Sequence, residues 1–145
     1  MLDSRATFAC ALIALAACAS AQGSPAPTAR PGAAVTLAGR SSATVTGQKL
    51  GAPADPFESV ISVSDIAPGG LLPMHKHPWP RYVYLDRGRL SVRYEASGLV
   101  REFGPGEGIV EAIDEWHEGK VIGSEPVRLI VFDQVPLGQT NVVRR

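Results

Sequence analysis

From Phe57 onward this chain is interrupted at short, even intervals by turns built on glycine and proline. The breaks fall at Pro68-Gly69-Gly70, Arg87-Gly88, Ser97-Gly98, Gly104-Pro105-Gly106 and Gly123-Ser124. Between and around them, residues 60–63, 81–86, 89–95, 99–103, 108–112, 116–122 and 127–134 alternate apolar with polar positions and favour Val, Ile and Tyr. A period of two marks half-buried strand, and no helical period competes with it. Strands this short cannot bury a face alone, so they must close on one another as a sandwich or barrel. The expected class is all-β, with helix scarce. Residues 35–37 and 44–46 read as weaker strands at an edge. A length of 145 residues suits one such domain and is too little for two comfortable ones.

The three histidines of the chain are spent in one pattern, His75-Lys76-His77 and then His117. On a strand, residues i and i+2 point to the same face, so His75 and His77 can present two imidazoles side by side. A third imidazole from a distant strand completes a facial set of metal ligands and leaves coordination positions open. The expectation is one divalent-metal site with the three nearest ring nitrogens about 3 to 4 Å apart, as metal–nitrogen bonds near 2 Å require. A surface strand with solvated histidines is the competing reading.

The residues around those histidines carry a family resemblance. Gly69, His75, His77 and Gly88 fit a Gly, five residues, His-x-His, and a closing Gly after the next strand; Gly106 and His117 fit a second block. These resemble the two motifs of the cupin superfamily over roughly residues 57–135. The resemblance implies a jelly-roll barrel, the double-stranded β-helix, with the metal site inside it. The departures are informative. The first motif's Glu position holds Arg81 (or Tyr82 at the longer spacing), and Ala112, Asp114 and Val121 replace the second motif's Pro, Gly and Asn.

Without that carboxylate the ligand set is His75, His77 and His117, and three neutral imidazoles leave a dication its full charge. Three-histidine cupins include iron dioxygenases acting on small organic substrates, while the same ligands suit zinc with a bound water. Fe, Mn, Zn, Ni and Cu all remain open as the divalent ion. Motif alignment turns Arg81 inward with Val83 and Leu85, where a guanidinium becomes a clamp for a substrate carboxylate. The alternative places Arg81 at the rim, paired with Asp86, Glu111 or Asp114. Glu111 is a candidate base, or an acceptor for an imidazole N–H. Asp114 and Glu115 read as solvated loop charges. Trp79 and Trp116 are candidate pocket walls, with core or dimer interface the commoner place for a barrel tryptophan, and Tyr82, Tyr84 and Tyr94 are candidate interface residues.

The N-terminal segment is expected to direct export. Arg5 opens a short n-region, and residues 8–17 are apolar over too few positions to span a bilayer. Leu15-Ala16-Ala17-Cys18 resembles a lipobox, with Cys18 lipidated; Ala19-Ser20-Ala21 offers a second cleavage point before Gln22. Residues 1–21 are thus read as leader, 22–50 as a flexible tether with edge strands, and 51–145 as the barrel. Both cysteines, Cys10 and Cys18, fall in the leader, so the domain itself has no disulfide to form. Fourteen basic and fourteen acidic residues cancel, which gives no bulk field for nucleic acid or anionic membrane.

Taken together, the sequence predicts an exported protein, periplasmic or lipid-anchored in a bacterial envelope, and a homodimer. Its expected role is that of a metal-dependent, oxygenase-type enzyme on a small organic substrate, with carboxylates the class that an inward Arg81 would select. A non-catalytic binding or sensor module and a zinc-type hydrolase or isomerase are the alternatives, since this fold hosts enzymes and binders alike.

Overall fold

The computed structural model describes Gly32 and residues 34–53 and 55–145. The expected leader, with Cys10, Cys18 and both cleavage points, lies outside the described residues, as does the first part of the tether. The strands all belong to one unit, Val35–Arg145.

All but one of the strand connections carry the chain from one sheet to the other. One sheet has the order β1 (Phe57–Ile66), β8 (Val127–Pro136), β3 (Arg81–Arg87), β6 (Gly108–Val110). The second runs β5 (Val100–Phe103), β4 (Arg89–Tyr94), β7 (His117–Ile122), β2 (Leu71–Lys76), β9 (Val143–Arg144). All strand pairs are antiparallel. Apart from the β4–β5 hairpin, successive strands alternate between the sheets, which is the winding of a jelly roll. No helix occurs among the described residues. Gly88 shows how tightly the crossings are made. It sits at φ 80°, and a Cβ there would lie 2.4 Å from the Pro126 carbonyl oxygen.

The period-two pattern places the core between the sheets. Along β8, Val127, Leu129, Val131 and Val135 are buried while Ile130 is exposed; Val83 and Leu85 face them from β3. Leu90, Val92, Tyr94, Phe103 and Val121 close the core from the second sheet. Burying each large apolar side chain contributes about 1.5–3 kcal/mol. The strands predicted from residue 57 onward are present, several of them longer than their strongest alternation suggested. Residues 35–37 and 44–46 are a correction: Val35 and Leu37 are exposed and form no strand, and residues 44–46 form a turn closed by the Gly47 N–H on the Thr44 carbonyl (2.9 Å).

Residues 38–50 are bonded along the free edge of β6. The Gly108 N–H donates to the Ala38 carbonyl (2.9 Å) and the Val45 N–H to Val110 (2.8 Å). The Gln48 amide imitates a strand, donating to the Ile113 carbonyl (2.6 Å) and accepting from its N–H (2.8 Å). An open edge is thereby covered. The opposite side of the barrel, between β1 and the β2–β9 pair, stays open.

Candidate metal centre

An irregularity in β2 brings the histidines inside. Leu72 pairs with Gly119 and His75 with His117, so three steps on β2 match two on β7. That one-residue bulge reverses the parity of the strand. Leu72 packs inward against the core, and beyond the bulge it is His75 and His77 that face inward. On β7 the regular alternation turns His117, Gly119 and Val121 inward. Gly119 opposes Leu72 without a side chain; a Cβ would meet Leu72 Cδ1 at 3.1 Å, so its absence leaves room beside the rings.

The three rings converge as expected. Their centroids are 4.4 to 4.9 Å apart, and the candidate ligand atoms all lie within 4.8 Å of one another. This is somewhat wider than the 3 to 4 Å of the sequence expectation; closure onto an ion needs an adjustment of roughly an ångström. His77 and His117 are buried and His75 half-buried.

Every ring is aimed by a main-chain carbonyl. His75 Nδ1 lies 2.7 Å from the Pro73 oxygen, His77 Nδ1 2.6 Å from that of Asn141, and His117 Nδ1 2.9 Å from that of Glu115. A carbonyl can only accept, so each Nδ1 carries the proton and each Nε2 keeps a free lone pair. Burial lowers all three imidazole pKa values. The neighbouring His117 adds to this for His75, and the Arg81 guanidinium for His77, which falls to about 2. Three neutral imidazoles with fixed tautomers and free Nε2 atoms are a set of donors fit for a divalent cation.

Two of the sequence candidates reach this cavity. Arg81 does turn inward with Val83 and Leu85, and it lines the cavity beside the histidines. Its partner is none of the three weighed from the sequence. Asp133 binds it in a bidentate pair, Nε to Oδ1 at 2.9 Å and Nη2 to Oδ2 at 2.7 Å. Asp133 arrives there because β3 and β8 place Arg81 and Asp133 directly opposite each other, both inward. The guanidinium charge is thus matched inside the barrel, which answers how an arginine can lie beside a dication site. Glu111 is also buried in the cavity wall. It accepts a hydrogen bond from the Tyr94 hydroxyl (3.0 Å) and lies 4.0 Å from His117 Nε2. Burial raises its pKa, against the hydrogen bond from Tyr94.

Asn141 was missed by sequence reasoning. Its carbonyl holds His77, while its side chain accepts from the Trp79 N–H (3.0 Å) and donates to Asp133 Oδ1 (2.7 Å). A continuous chain of polar contacts therefore runs Arg81–Asp133–Asn141–His77. Tyr94 is a correction: it is fully buried rather than an interface residue. Of the two readings for the tryptophans, the pocket wall does not hold at the histidines, since neither lines that cavity. Trp116 instead takes Lys76 and Arg145 over its ring, with distances of 5.2 and 5.5 Å to the centroid. Asp114 and Glu115 are loop charges as expected, bonded to Lys76 and to Ser97. Asp114 adopts φ 53° at the position where the second motif has glycine.

Comparison with known proteins agrees with this fold. Residues 62–133 match the cupin domain family. Among solved structures, an oxalate decarboxylase from Lactobacillus farciminis superposes with TM-score 0.51 at 24% identity, over 59% of this chain and 26% of that one. The DMSP lyase DddQ from Ruegeria pomeroyi DSS-3 gives 0.51 at 20% identity, over 59% and 42%. The Bacillus subtilis oxalate decarboxylase, which has Mn(II) centres, gives 0.52 at 18%, over 59% and 23%. This chain spans less than half the length of these proteins, and at such identities the likeness shows the fold alone. No curated protein sequence matches. The jelly-roll winding, the histidines on β2 and β7 and the family match together make this chain a member of the cupin superfamily.

Proposed function

We propose that this protein is a metal-dependent enzyme of the oxygenase type, acting on a small, carboxylated organic substrate. The observation that carries the reading is the trio of carbonyl-aimed neutral imidazoles on one wall of a cavity that opens to solvent between β1 and β9. A divalent ion held by His75, His77 and His117 would supply a Lewis-acid or redox-active centre with open coordination positions. The chain's own residues do the rest. The carbonyls of Pro73, Asn141 and Glu115 hold the rings in one tautomer. Leu72, Leu90, Val92 and Val131 keep the inner cavity apolar and small. Arg81, its charge matched by Asp133, can still donate from Nη1 to a ligand. Elemental analysis of purified protein, followed by oxygen-consumption screening with small carboxylic acids, tests this. Iron or manganese with substrate-dependent uptake supports it; stoichiometric zinc with no uptake sinks it.

Glu111 favours a second reading. A buried carboxyl whose pKa is raised, 4.0 Å from a ligand imidazole, suits proton transfer in a zinc-type hydrolase or isomerase. Hydrolysis by zinc-loaded protein that is lost in Glu111→Gln would favour it over oxygen chemistry.

Two further proposals concern where and how the protein works. The Leu15-Ala16-Ala17-Cys18 segment supports export to the envelope with lipidation at Cys18; a mature N-terminus at Gln22 would exclude the lipid anchor. The outer face of the first sheet supports a homodimer. Ile61 and Val63 pair with Phe132 and Ile130, which pair in turn with Tyr82 and Tyr84, so apolar side chains continue across three strands. A monomer in sedimentation at micromolar concentration would count against it.

A further inference from the structure

The open side of the barrel contains a second cavity, of about 320 Å³, continuous with the smaller one that holds the histidines. Ser64, Leu72, His75, Arg81 and Val131 belong to both, so a ligand in the outer cavity touches the inner one. Ser62 and Ser64 face the outer cavity from β1, and Arg144 faces it from β9. The presence of Arg144 is a consequence of register. It is the direct partner of His75 in the β2–β9 pair, and residues directly opposed in an antiparallel pair project to the same face.

The charge at this mouth is one-sided. No carboxylate is among its lining residues. Arg81 contributes little net charge because Asp133 stands behind it. Arg144 has no carboxylate partner among the described residues, whereas Arg93, on β4 of the same sheet, and Arg145, next in the chain, are held by Glu118 and Glu95. An uncompensated guanidinium, two hydroxyls and a wall of Leu72, Val131 and Val142 form a fork for an anion beside an apolar surface.

We infer that Arg144, with Ser62 and Ser64, is the anion-recognition site of this protein, and that it admits small aliphatic carboxylates whose far end points at the histidine trio. This deepens the functional reading above and rests on it for the metal. It moves the carboxylate clamp from Arg81, which the motif alignment suggested, to a residue beyond both motifs. The outer cavity limits the ligand to a few carbons, since small-molecule sites begin near this volume.

The test is calorimetric titration of the full zinc-loaded chain with malonate, succinate and glutarate, and with neutral succinamide as control. The dicarboxylate that binds best should bind Arg144→Gln at least about ten-fold more weakly, about 1.4 kcal/mol. Arg144→Lys should retain part of the affinity, succinamide should not distinguish the chains, and zinc content should be equal in all of them. Equal dicarboxylate affinity in wild type and Arg144→Gln, or no dicarboxylate binding by zinc-loaded wild type, overturns the assignment of Arg144. Failure of wild type to take up zinc overturns the metal reading instead, so the two claims fail separately. Arg144 is exposed and pairs through its main chain, so the substitution leaves β9 intact.

Discussion

Replacement of Asn141 by alanine is expected to damage both stability and metal binding, because this one residue serves both. The alanine chain loses the acceptor for the Trp79 N–H and the donors to the Trp79 carbonyl (3.1 Å) and to Asp133 Oδ1 (2.7 Å). A net hydrogen bond between neutral groups contributes about 1 kcal/mol and one to a charged group about 1.5–3 kcal/mol. With some water entering the site, the expected loss is about 3 to 4 kcal/mol, read as a shift of the urea midpoint at unchanged slope. The His77 ring is held by the Asn141 main-chain carbonyl, whose position those side-chain bonds secure. Zinc affinity measured by competition with a chelator should therefore fall about 10- to 100-fold, the usual cost of losing a partner that orients a ligand. Asn141→Asp sharpens the test, since it is isosteric but sets an anion against Asp133. It should cost at least as much as alanine. If Asn141→Asp is as stable as wild type, or Asn141→Ala binds zinc unchanged, the polar chain from Arg81 to His77 has no role in holding the site.

Three other outcomes are expected. Arg81→Gln leaves Asp133 buried without its counter-charge and should destabilise by about 2 to 4 kcal/mol in denaturant titration; a change below about 0.5 kcal/mol would show that the pair is not buried as described. The folded pKa of His77 lies below its unfolded value of 6.5, so its contribution to stability is present above pH 6.5 and lost as pH falls toward about 2. Between pH 7.5 and 5.5, metal-free wild type should lose about 1.4 kcal/mol more than His77→Gln does over the same interval, and coincident pH slopes would contradict the assignment. Gly88→Ala combines a positive φ with a 2.4 Å approach to the Pro126 carbonyl. It should lower thermal stability by more than about 2 kcal/mol, which a calorimetric scan would detect.

Much of this was legible in the residues themselves. The strands of the barrel follow from period-two alternation between Gly- and Pro-bearing turns, and the convergence of His75, His77 and His117 follows from their spacing. The bulge at Leu72–His75 was not legible, because an extra residue in one strand shows itself only against its partner. Pro73 within that stretch was the available signal, as proline cannot donate to a ladder. Asp133 could have been found. In the run Val127, Leu129, Val131, Asp133, Val135 it is a charge in the inward register, and such a residue demands a partner across the sheet. Asn141 and Arg144 lie outside every alternating segment, and their roles come from the short β9 returning beside β2, a long-range pairing that no local pattern encodes. Trp116 misled for the opposite reason. Its nearness in sequence to His117 placed it on the other face of β7's approach, under cations rather than in the cavity.

Whether His75, His77 and His117 together hold one divalent ion is tested most directly by X-ray absorption at the zinc edge of protein loaded to one equivalent. Three imidazole nitrogens are expected at about 2.0–2.1 Å, with the count falling to two in His117→Ala. Zinc that binds with fewer than three imidazoles in wild type, or with a count that does not change in His117→Ala, would contradict a shared three-histidine site.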